Sequence, residues 1–364
     1  MKEVLFLDHH AQILGGGQLS LLGLMGHLES CTPRCLCPGG GGLEMALRRE
    51  GIAFEQMDFP PLRLGGVGQI WRGLRQLRRR AKGAALLHVN SSRAMFYAGL
   101  GCRWAGVPVL WHVRIADAEE NWDRFLGGAA RLIVVNSQAA RHRFAGSGLE
   151  DKVRVVYNGE DIERYARADG AAVRRELGGT PLIGMVGRLS PEKDHETFLQ
   201  AAARVADSWP QARFVLVGED PEPGQPRRRA LEELAGQLGL GDRVVFTGAR
   251  QDIPALMAAL DLLVHCAHRE AFGRVLVEAM AAARPVVATA VGGIPEVVRE
   301  CGLLVPEGDA AEVARAIETL LADAERARQL GLAGQRRVRE HFSIEAHVAQ
   351  IEALYDEIWL ENGS

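Results

Sequence analysis

Short apolar runs alternate with longer helix-like segments along almost the whole chain, and this alternation limits the possible folds more than any other feature. Parallel strands cannot be joined by a tight turn, so each pair needs a crossover, which is usually a helix. Regular alternation therefore predicts α/β domains built on parallel sheets. In the first half of the chain the predicted strands cover residues 4–7, 34–36, 53–57, 86–89, 109–112, 132–135 and 153–156.

A second series of the same kind begins near residue 182. Its predicted strands cover residues 182–187, 214–217, 244–246, 262–264, 286–288 and 302–305. The 364 residues are enough for two hydrophobic cores. We therefore expect an α/β protein with two doubly wound, Rossmann-like domains, residues 1–168 and 169–343, that face each other across a cleft.

Two glutamates, Glu270 and Glu278, lie on either side of a predicted strand-to-helix turn. At ~1.5 Å of rise per helical residue their carboxylates can be roughly 10 Å apart, beyond the ~5–9.5 Å between the carboxylates of glycosidases. Two carboxylates at this distance could bind hydroxyl groups at the two ends of one polyhydroxylated ligand. Between them the amides of Gly273, Arg274 and Val275 open a helix, and a helix N-terminus attracts phosphate. This combination indicates a nucleotide-sugar.

Arg188 and Lys193 flank another predicted helix start, directly after the strand at 182–187. Ligands of open parallel sheets bind beyond the carboxyl ends of the strands, so two cations at this place favour a diphosphate. The alternative is a surface Arg and Lys paired with Glu192 or Asp194. We favour the diphosphate because the location suits it.

Three further segments at strand ends carry weaker signals. Gly16 and Gly17 open the first helix, where glycine lets a phosphate approach the backbone, although a plain turn explains them too. His112 ends a strand and fits either a sugar contact or a buried histidine behind the site. Arg250 lies in the turn at 247–252, which fits either a base-edge contact or a simple connection.

Several motifs of cofactor and metal chemistry are absent from the sequence. It contains no D-x-D, no Walker loop, no nucleophile elbow and no G-x-G-x-x-G, which argues against a dehydrogenase. We therefore expect no metal site and no cofactor. The cysteines, including the C-x3-C-x-C group of Cys31, Cys35 and Cys37, are expected to be reduced thiols, because the spacing does not match paired zinc knuckles.

The chain resembles the retaining GT-B glycosyltransferases of family 4 (glycosyl transferases group 1) over essentially its whole length. Glu270 and Glu278 match the E-x7-E element of that family, and the similarity is strongest in the second half. The segments that carry the resemblance are residues 15–17, 155–161, 186–194, 214–218 and 246–295.

This resemblance implies a donor site in the second domain. Arg188 and Lys193 would bind the donor diphosphate and stabilise the leaving nucleotide. Glu278 would hold the ribose hydroxyls, and Glu270 would hold hydroxyls of the transferred sugar. The sugar and phosphate would also touch the backbone amides of Phe272, Gly273, Arg274 and Val275.

The resemblance implies further roles outside this segment. The main chain of Arg250 would meet the base. Gly17 would contact the diphosphate from the first domain, with Gly16 as the alternative because the family often has one glycine fewer there. His112 would lie at the sugar on the acceptor side and take part in catalysis with Arg188, Lys193 and Glu270. The final helix, residues 344–364, would pack back on the first domain.

From these residues we expect a retaining, metal-independent glycosyltransferase that moves a sugar from a UDP- or GDP-sugar to an acceptor hydroxyl. A role in cell-surface polysaccharide or glycolipid biosynthesis is expected. One alternative is a nucleotide-sugar 2-epimerase on the same scaffold, for which the sequence offers no extra carboxylate cluster. The other is a non-catalytic nucleotide-binding protein, against which the complete set of charged residues counts.

A basic segment, residues 63–82, holds six arginines and one lysine and no acidic residue. Ile70, Trp71, Leu74 and Leu77 recur in it at helical spacing, which predicts a basic amphipathic helix. A solvated helix packed on the sheet and a contact with anionic lipid or a lipid-linked glycan acceptor are equally consistent with this pattern. The net charge of −3 and the lack of a recognition motif argue against nucleic acid.

The first residues read as a β-strand rather than a signal peptide, and the apolar runs are too short to span a bilayer. We expect the protein in the cytoplasm, with a peripheral position at the inner face of the plasma membrane if the basic helix binds lipid.

Overall fold

Two parallel sheets organise the part of the chain that the structure describes. This structure is a computed structural model and describes residues 1–13, 15–62, 66–102, 106–115 and 120–362. Two parts of the sequence predictions lie outside these ranges. They are Arg63, the first basic residue of the predicted basic segment, and residues 103–105, the end of the helix predicted from Ser92.

The first sheet has seven described strands in the order β3-β2-β1-β4-β5-β6-β7. All neighbouring strands are parallel, with Leu5 opposite Arg34 and Phe6 opposite His88. The strands are β1 (Lys2–Leu7), β2 (Cys31–Cys37), β3 (Ala53–Gln56), β4 (Leu86–Val89), β5 (Val109–Val113), β6 (Leu132–Val135) and β7 (Val153–Val155). The helices among them are α1 (Gly16–His27), α2 (Gly42–Arg49), α3 (Val67–Arg80), α4 (Ser92–Cys102), α5 (Glu120–Ala129) and α6 (Gln138–Arg141).

The second sheet has six described strands in the order β10-β9-β8-β11-β12-β13, again all parallel. Its strands are β8 (Leu182–Val186), β9 (Arg213–Val217), β10 (Val244–Gly248), β11 (Leu262–His265), β12 (Val286–Thr289) and β13 (Leu303–Val305). The helices are α7 (Ile162–Ala166), α8 (Ala171–Leu177), α9 (His195–Ser208), α10 (Pro226–Gln237), α11 (Ile253–Ala259), α12 (Arg274–Ala281), α13 (Ile294–Val298), α14 (Ala310–Ala322) and α15 (Ala324–His341), and α16 (Ile344–Asn362) ends the chain.

Each sheet changes its direction of growth at one point. In the first sheet β1 lies between β2 and β4, and in the second β8 lies between β9 and β11. Loops after the two strands at such a switch point diverge to opposite faces, which leaves a crevice at the carboxyl edge of the sheet. Polar residues that follow β1, β4, β8 and β11 are therefore the ones the fold presents to a ligand.

The predicted strands and the doubly wound fold class are confirmed in both halves. The chain divides into two compact units, residues 1–159 with 344–364 and residues 160–343. The first unit thus ends at Gly159 rather than at residue 168, because α7 packs on α11 and α12 of the second unit.

The helix α15 was not predicted from the sequence. Its contact with α12 is made by glycines rather than by an apolar stripe. A Cβ at Gly331 would lie 2.2 Å from the carbonyl oxygen of Ala283, and one at Gly334 would lie 3.0 Å from Met280. Because glycine has no side chain, the helix can approach this closely. For the same reason these contact positions add nothing to the helical hydrophobic periodicity of the sequence.

The final helix α16 packs on the first unit, as the resemblance implies. Its buried positions recur at helical spacing and join the core formed by β1, β2 and α1. These positions are Ile344, Val348, Ile351, Tyr355 and Ile358. Cys31, Cys35 and Cys37 are free, buried thiols of the same core. Among the described helices, none has the length and hydropathy needed to cross a membrane.

A carboxylate of α16 ties this helix to the end of α1. Glu352 accepts hydrogen bonds from the backbone amides of Glu29 (2.8 Å) and Ser30 (2.7 Å). We expect Glu352→Ala to lower the free energy of unfolding by about 1 kcal/mol, because two amides lose a charged acceptor. The matched control is Asp356→Ala, one turn further along an exposed part of the helix. Equal losses in urea unfolding of the two variants would contradict this role for Glu352.

Candidate functional site

The loops after β8 and β11 bring Lys193 and Glu270 together at the switch point of the second sheet. The Lys193 Nζ lies 2.6 Å from Glu270 Oε2, and both side chains are 17% exposed. His265, the last residue of β11, places Nε2 3.2 Å from the same oxygen. Two of the predicted site residues therefore form one ion pair, with a histidine as a third member that the sequence did not suggest.

The surroundings of Glu270 keep it ionised. Burial alone would raise its pKa, but the hydrogen bond from His265 and the charge of Lys193 outweigh burial and hold the pKa of Glu270 well below its ordinary value. Burial lowers the pKa of His265, so this ring is neutral and donates its Nε2–H to the carboxylate. Glu270 is thus a fixed anion whose acceptor oxygens can also receive hydroxyl groups.

Glycines shape the backbone around Glu270. Gly292 has φ +52°, and a Cβ there would lie 1.9 Å from the Glu270 carbonyl oxygen. Gly293 donates its amide to the same carbonyl (3.0 Å). Gly273, at φ +90°, precedes the first residue of α12. The helix therefore begins at Arg274 rather than at Phe272, because the left-handed Gly273 interrupts the helical backbone.

One arginine lies between two carboxylates at the start of α12. Arg274 contacts Glu160 at 2.5 Å and Glu278, one helical turn further, at 3.4 Å. All three side chains are at least 86% buried, since their exposed fractions are 14%, 12% and 11%. The sequence suggested only the backbone of Arg274 as a ligand and gave no role to Glu160.

This arrangement raises the pKa of Glu278 to about 7. Burial is the largest cause, and the negative charge of Glu160 adds to it, whereas Arg274 opposes both. A single guanidinium compensates one carboxylate fully, and Glu160 lies closer to it. Glu278 is therefore a buried carboxyl group that holds its proton more strongly than usual, and further hydrogen-bond donors would favour its ionised form.

The side chains of Arg188 and Arg250 are held by ion pairs with other residues. Arg188 contacts Glu192 at 3.2 Å and is 48% exposed, which is the ion pair named as the alternative from the sequence. Arg250 is bound by Glu176 and Asp252 at 2.7 Å each. Their donor-binding roles stay predictions, as do those of the residues above.

In the first unit Gly17 and His112 meet through Arg114. A Cβ at Gly17 would lie 3.4 Å from the Arg114 side chain. Arg114 donates to Nδ1 of His112 (3.3 Å). It also donates to Asn90 (2.7 Å), Ser20 (2.7 Å) and Asn158. Sequence reasoning missed Arg114, although its position two residues after His112 at the same strand end was a usable signal.

A second group that the sequence reasoning missed follows β1. Asp8, His9 and His10 can each offer one metal-ligating atom within 4.8 Å of the others. Asp8 is fully buried and already accepts from Nδ1 (2.7 Å) and the amide (2.9 Å) of His10 and from Asn90 (2.8 Å). His9 Nδ1 lies 2.7 Å from Ser91. These contacts already use the ligand atoms of Asp8 and one nitrogen of each ring.

Two family models match the chain, one on each unit. Residues 14–164 match the model described as Glycosyltransferase Family 4, and residues 171–337 match that of Glycosyl transferases group 1. One similar curated protein is the D-inositol 3-phosphate glycosyltransferase of Nocardia farcinica, which is 35% identical over 59% of this chain and 51% of that protein. Another is the alpha-D-kanosaminyltransferase of Streptomyces kanamyceticus, 28% identical over 81% of this chain and 83% of that protein.

The match thus spans about half the length of the first of these relatives. Among solved structures, Anabaena Alr3699/HepE in complex with UDP and glucose has a TM-score of 0.88 and 28% identity, and the match covers 98% of this chain and 100% of that one. Its complex with UDP-glucose gives the same TM-score. Sucrose-phosphate synthase from Thermosynechococcus elongatus, with a TM-score of 0.82 and 23% identity, shares the fold.

The raised pKa of Glu278 predicts a stability change with pH. The folded pKa of about 7 exceeds the ordinary value of 4.5, so the folded chain binds more protons between these values. The contribution of Glu278 to stability is full below about pH 4 and is lost as the pH rises through 7. We expect Glu278→Gln to match the wild type at pH 5 and to exceed its free energy of unfolding by on the order of 2 kcal/mol at pH 8.

The measurement is urea unfolding of both proteins across this pH range. Glu232→Gln, in an exposed ion pair with Arg228, serves as the control and should show no such crossover. A difference between Glu278→Gln and wild type that is the same at pH 5 and pH 8 would show that Glu278 has an ordinary pKa.

Proposed function

The chain belongs to the group 1 glycosyltransferases of family 4 and has their GT-B fold, and we propose that it transfers a sugar from a nucleotide-sugar to an acceptor hydroxyl. One observation carries this proposal. A fixed cation and a fixed anion, Lys193 and Glu270, meet at the switch point of the second sheet, next to the helix start that carries Glu278.

The donor that fits this arrangement is a UDP-sugar. Support comes from the Anabaena protein, whose structures hold UDP and UDP-glucose and which is 28% identical over 98% of this chain. Lys193 is proposed to bind the diphosphate, with the α12 N-terminus as a second electropositive element. Glu270 accepts sugar hydroxyls. Glu278 is proposed to accept both ribose hydroxyls, which supply donors that favour its ionised form.

Transition-state stabilisation is proposed to come from fixed positive charge. When the bond between sugar and phosphate breaks, negative charge develops on the leaving diphosphate, and Lys193, Arg188 and the α12 amides can stabilise it. The sequence lacks the D-x-D that holds a divalent ion, so the proposed reaction is metal-independent. The acceptor hydroxyl approaches from the face that the diphosphate leaves and gives its proton to the departing diphosphate oxygen, so the anomeric configuration is retained.

The ion pair between Lys193 and Glu270 has a consequence for the empty site. While no ligand is bound, each charge compensates the other, which avoids the cost of two isolated buried charges. A donor offers phosphate oxygens to Lys193 and hydroxyl groups to Glu270. The pair can thus separate without leaving either charge unsatisfied, so the binding site is prepared before the substrate arrives.

A membrane-bound acceptor is proposed from the surface of α3. Arg72, Arg75, Arg78 and Arg79 are exposed on this helix, and Trp71 is 53% exposed. The sequence predicted that Trp71 belongs to the apolar side of the helix. The side that packs on the core instead contains Ile70, Gly73, Leu74 and Leu77. Gly73 faces Tyr97 of α4, where a Cβ would approach to 2.9 Å, so this side of α3 packs closely on α4.

An exposed tryptophan among arginines suits the interface of an anionic bilayer. We propose that α3 holds the protein at such a surface, where it meets a lipid-linked or cell-surface glycan acceptor. The chain would then act as a peripheral protein of the inner face of the plasma membrane.

The donor proposal predicts a specific loss in Lys193→Met. This change removes a charge-assisted contact of ~1.5–3 kcal/mol, so we expect UDP-glucose to bind roughly 10- to 100-fold more weakly by isothermal titration calorimetry. Lys82→Met removes an exposed lysine elsewhere and should bind like the wild type. Unchanged affinity in Lys193→Met would remove this residue from the donor site.

Product analysis separates the transferase from its alternatives. Incubated with UDP-glucose alone, an epimerase accumulates an isomeric UDP-sugar, and a protein that only binds nucleotide leaves the donor intact. We expect no isomer, and UDP release that increases when a glycan or lipid-linked acceptor is added. An acceptor-independent isomer would overturn the transferase proposal.

The membrane proposal predicts binding that depends on charge. Wild type should co-sediment with vesicles containing anionic phosphatidylglycerol at low salt, and Arg75→Glu with Arg79→Glu should lose at least about 10-fold in vesicle affinity, since each basic residue near the surface contributes ~1 kcal/mol. The control is Arg326→Glu with Arg336→Glu on α15, also exposed. Equal binding of the two double variants, or none by the wild type, would contradict a role for α3.

A further inference from the structure

The carboxylate of Glu270 is bound by one flexible donor and one rigid donor. Its Oε2 lies 2.6 Å from Nζ of Lys193 and 3.2 Å from Nε2 of His265. Lys193 carries its charge at the end of a four-carbon chain that extends from the turn after β8. The ring of His265 is only 1% exposed and is held in place by the core of the second unit. The lysine can therefore leave the carboxylate more easily than the histidine can.

The second sheet sets the distance between the ring of His265 and Glu270. His265 is the last residue of β11 and lies opposite Ala288 of β12. The carbonyl of Glu270 accepts the amide of Gly293 at 3.0 Å, which fixes the backbone of the loop after β11. Groups on strands are held more precisely than groups on loops. The contact between ring and carboxylate thus depends on the sheet rather than on Lys193.

The ring has one hydrogen to donate, and Glu270 receives it. Burial lowers the pKa of His265, so the imidazole is neutral and carries a single N–H. An ionised carboxylate can only accept, so this hydrogen is on Nε2. Nδ1 then has a lone pair, and this nitrogen is buried without a hydrogen-bond partner among the described residues.

The titratable groups around this contact leave two charges at neutral pH. His265 and Lys193 lower the pKa of Glu270 against the effect of burial, and Glu270 and Lys193 act on His265. His195, at the start of α9, is affected by His265 but has a pKa lowered to about 3, chiefly by burial, and is neutral. The charges are therefore those of Glu270 and Lys193. If Lys193 moves to a diphosphate, His265 is the donor that stays on Glu270.

We propose that His265 is a positioning residue that keeps Glu270 ionised and aimed at the sugar after Lys193 has turned to the diphosphate of the donor. The presence of a donor rests on the proposed function, whereas the contact between ring and carboxylate does not. Oε2 stays with the ring, and Oε1, which has a long contact of 3.5 Å with the amide of Phe272, accepts a sugar hydroxyl. Recognition of the sugar thereby depends on a buried residue of β11.

The state of the ring can be tested by NMR on the full-length protein with ring-labelled ¹⁵N histidine, assigned with His265→Gln. We expect a neutral His265 with hydrogen on Nε2 from pH 5 to pH 8, both before and after UDP-glucose is added. Hydrogen on Nδ1 in either state, or titration of the ring in this range, would overturn the proposal.

A pair of variants at position 265 tests the positioning role. Glutamine keeps an N–H at a similar reach, whereas methionine fills similar space and has no donor. The readout is the ratio of UDP-glucose affinity to UDP affinity, measured by calorimetry. We expect this ratio to stay within about 3-fold of wild type in His265→Gln and to fall at least about 10-fold in His265→Met, since hydrogen bonds to an ionised group are worth roughly 10-fold or more each. UDP affinity should stay within about 3-fold of wild type in both.

The same ratio should depend on pH in His265→Met. Without the ring, burial is expected to raise the pKa of Glu270, so the ratio relative to wild type should fall further from pH 8 to pH 5 as the carboxylate gains a proton. Equal ratios in the two variants, or an equal loss of UDP and UDP-glucose affinity in His265→Met, would reject the positioning role. A wild type that binds neither ligand would instead reject the proposed function, and the NMR result on the ring would still stand.

Discussion

Burial at the carboxyl edge of the second sheet makes the charges of Lys193, Glu270, Arg274 and Glu278 depend on their partners. Arg274 shows the constraint most clearly, because one guanidinium lies between Glu160 and Glu278 and can compensate only one of them fully. Burial and the uncompensated negative charge of Glu160 raise the pKa of Glu278. Glu270, at the same edge, has a lowered pKa, because Lys193 and His265 together keep its carboxylate ionised. Two glutamates on one loop and helix therefore differ in protonation because their neighbours differ.

These two states suit different tasks in the proposed reaction. Glu270 is prepared in advance as an anion and needs only an exchange of partners when a sugar replaces Lys193. Glu278 has a raised pKa in the empty site, and in the proposed complex two ribose hydroxyl groups would donate to it. In the first unit Nε2 of His112 is also buried and has no hydrogen-bond partner among the described residues. The protein accepts a loss of stability at these buried groups, which is the usual relation between a site prepared for binding and a stable core.

Much of the fold could be predicted from the sequence, because strands buried on both faces are nearly continuous apolar runs and all of the predicted strands are present. Lys193, Glu270 and Glu278 could be selected as candidate site residues because they follow strand ends, and the structure brings Lys193 and Glu270 together. What could not be predicted depends on contacts without a periodic signal. Gly331 and Gly334 of α15 and Gly73 of α3 pack closely on their neighbours, and a glycine adds nothing to a hydrophobic pattern. The pairing of Arg274 with Glu160 joins residues 114 positions apart. The hydrogen bonds from Tyr355 through His88 to His112 join the separate elements α16, β4 and β5.

The most direct test of the central claim is the number of protons released when UDP-glucose binds. Its diphosphate has no ionisation near neutral pH, so the release reports on the protein. Calorimetry at pH 7 in buffers of different ionisation enthalpy should show a net release of protons by the wild type, because the raised pKa of Glu278 favours its protonated form and the carboxyl group must ionise to accept the ribose hydroxyls. Glu278→Gln should bind more weakly and release none. Equal proton release by both proteins, or tight binding with none, would contradict the account.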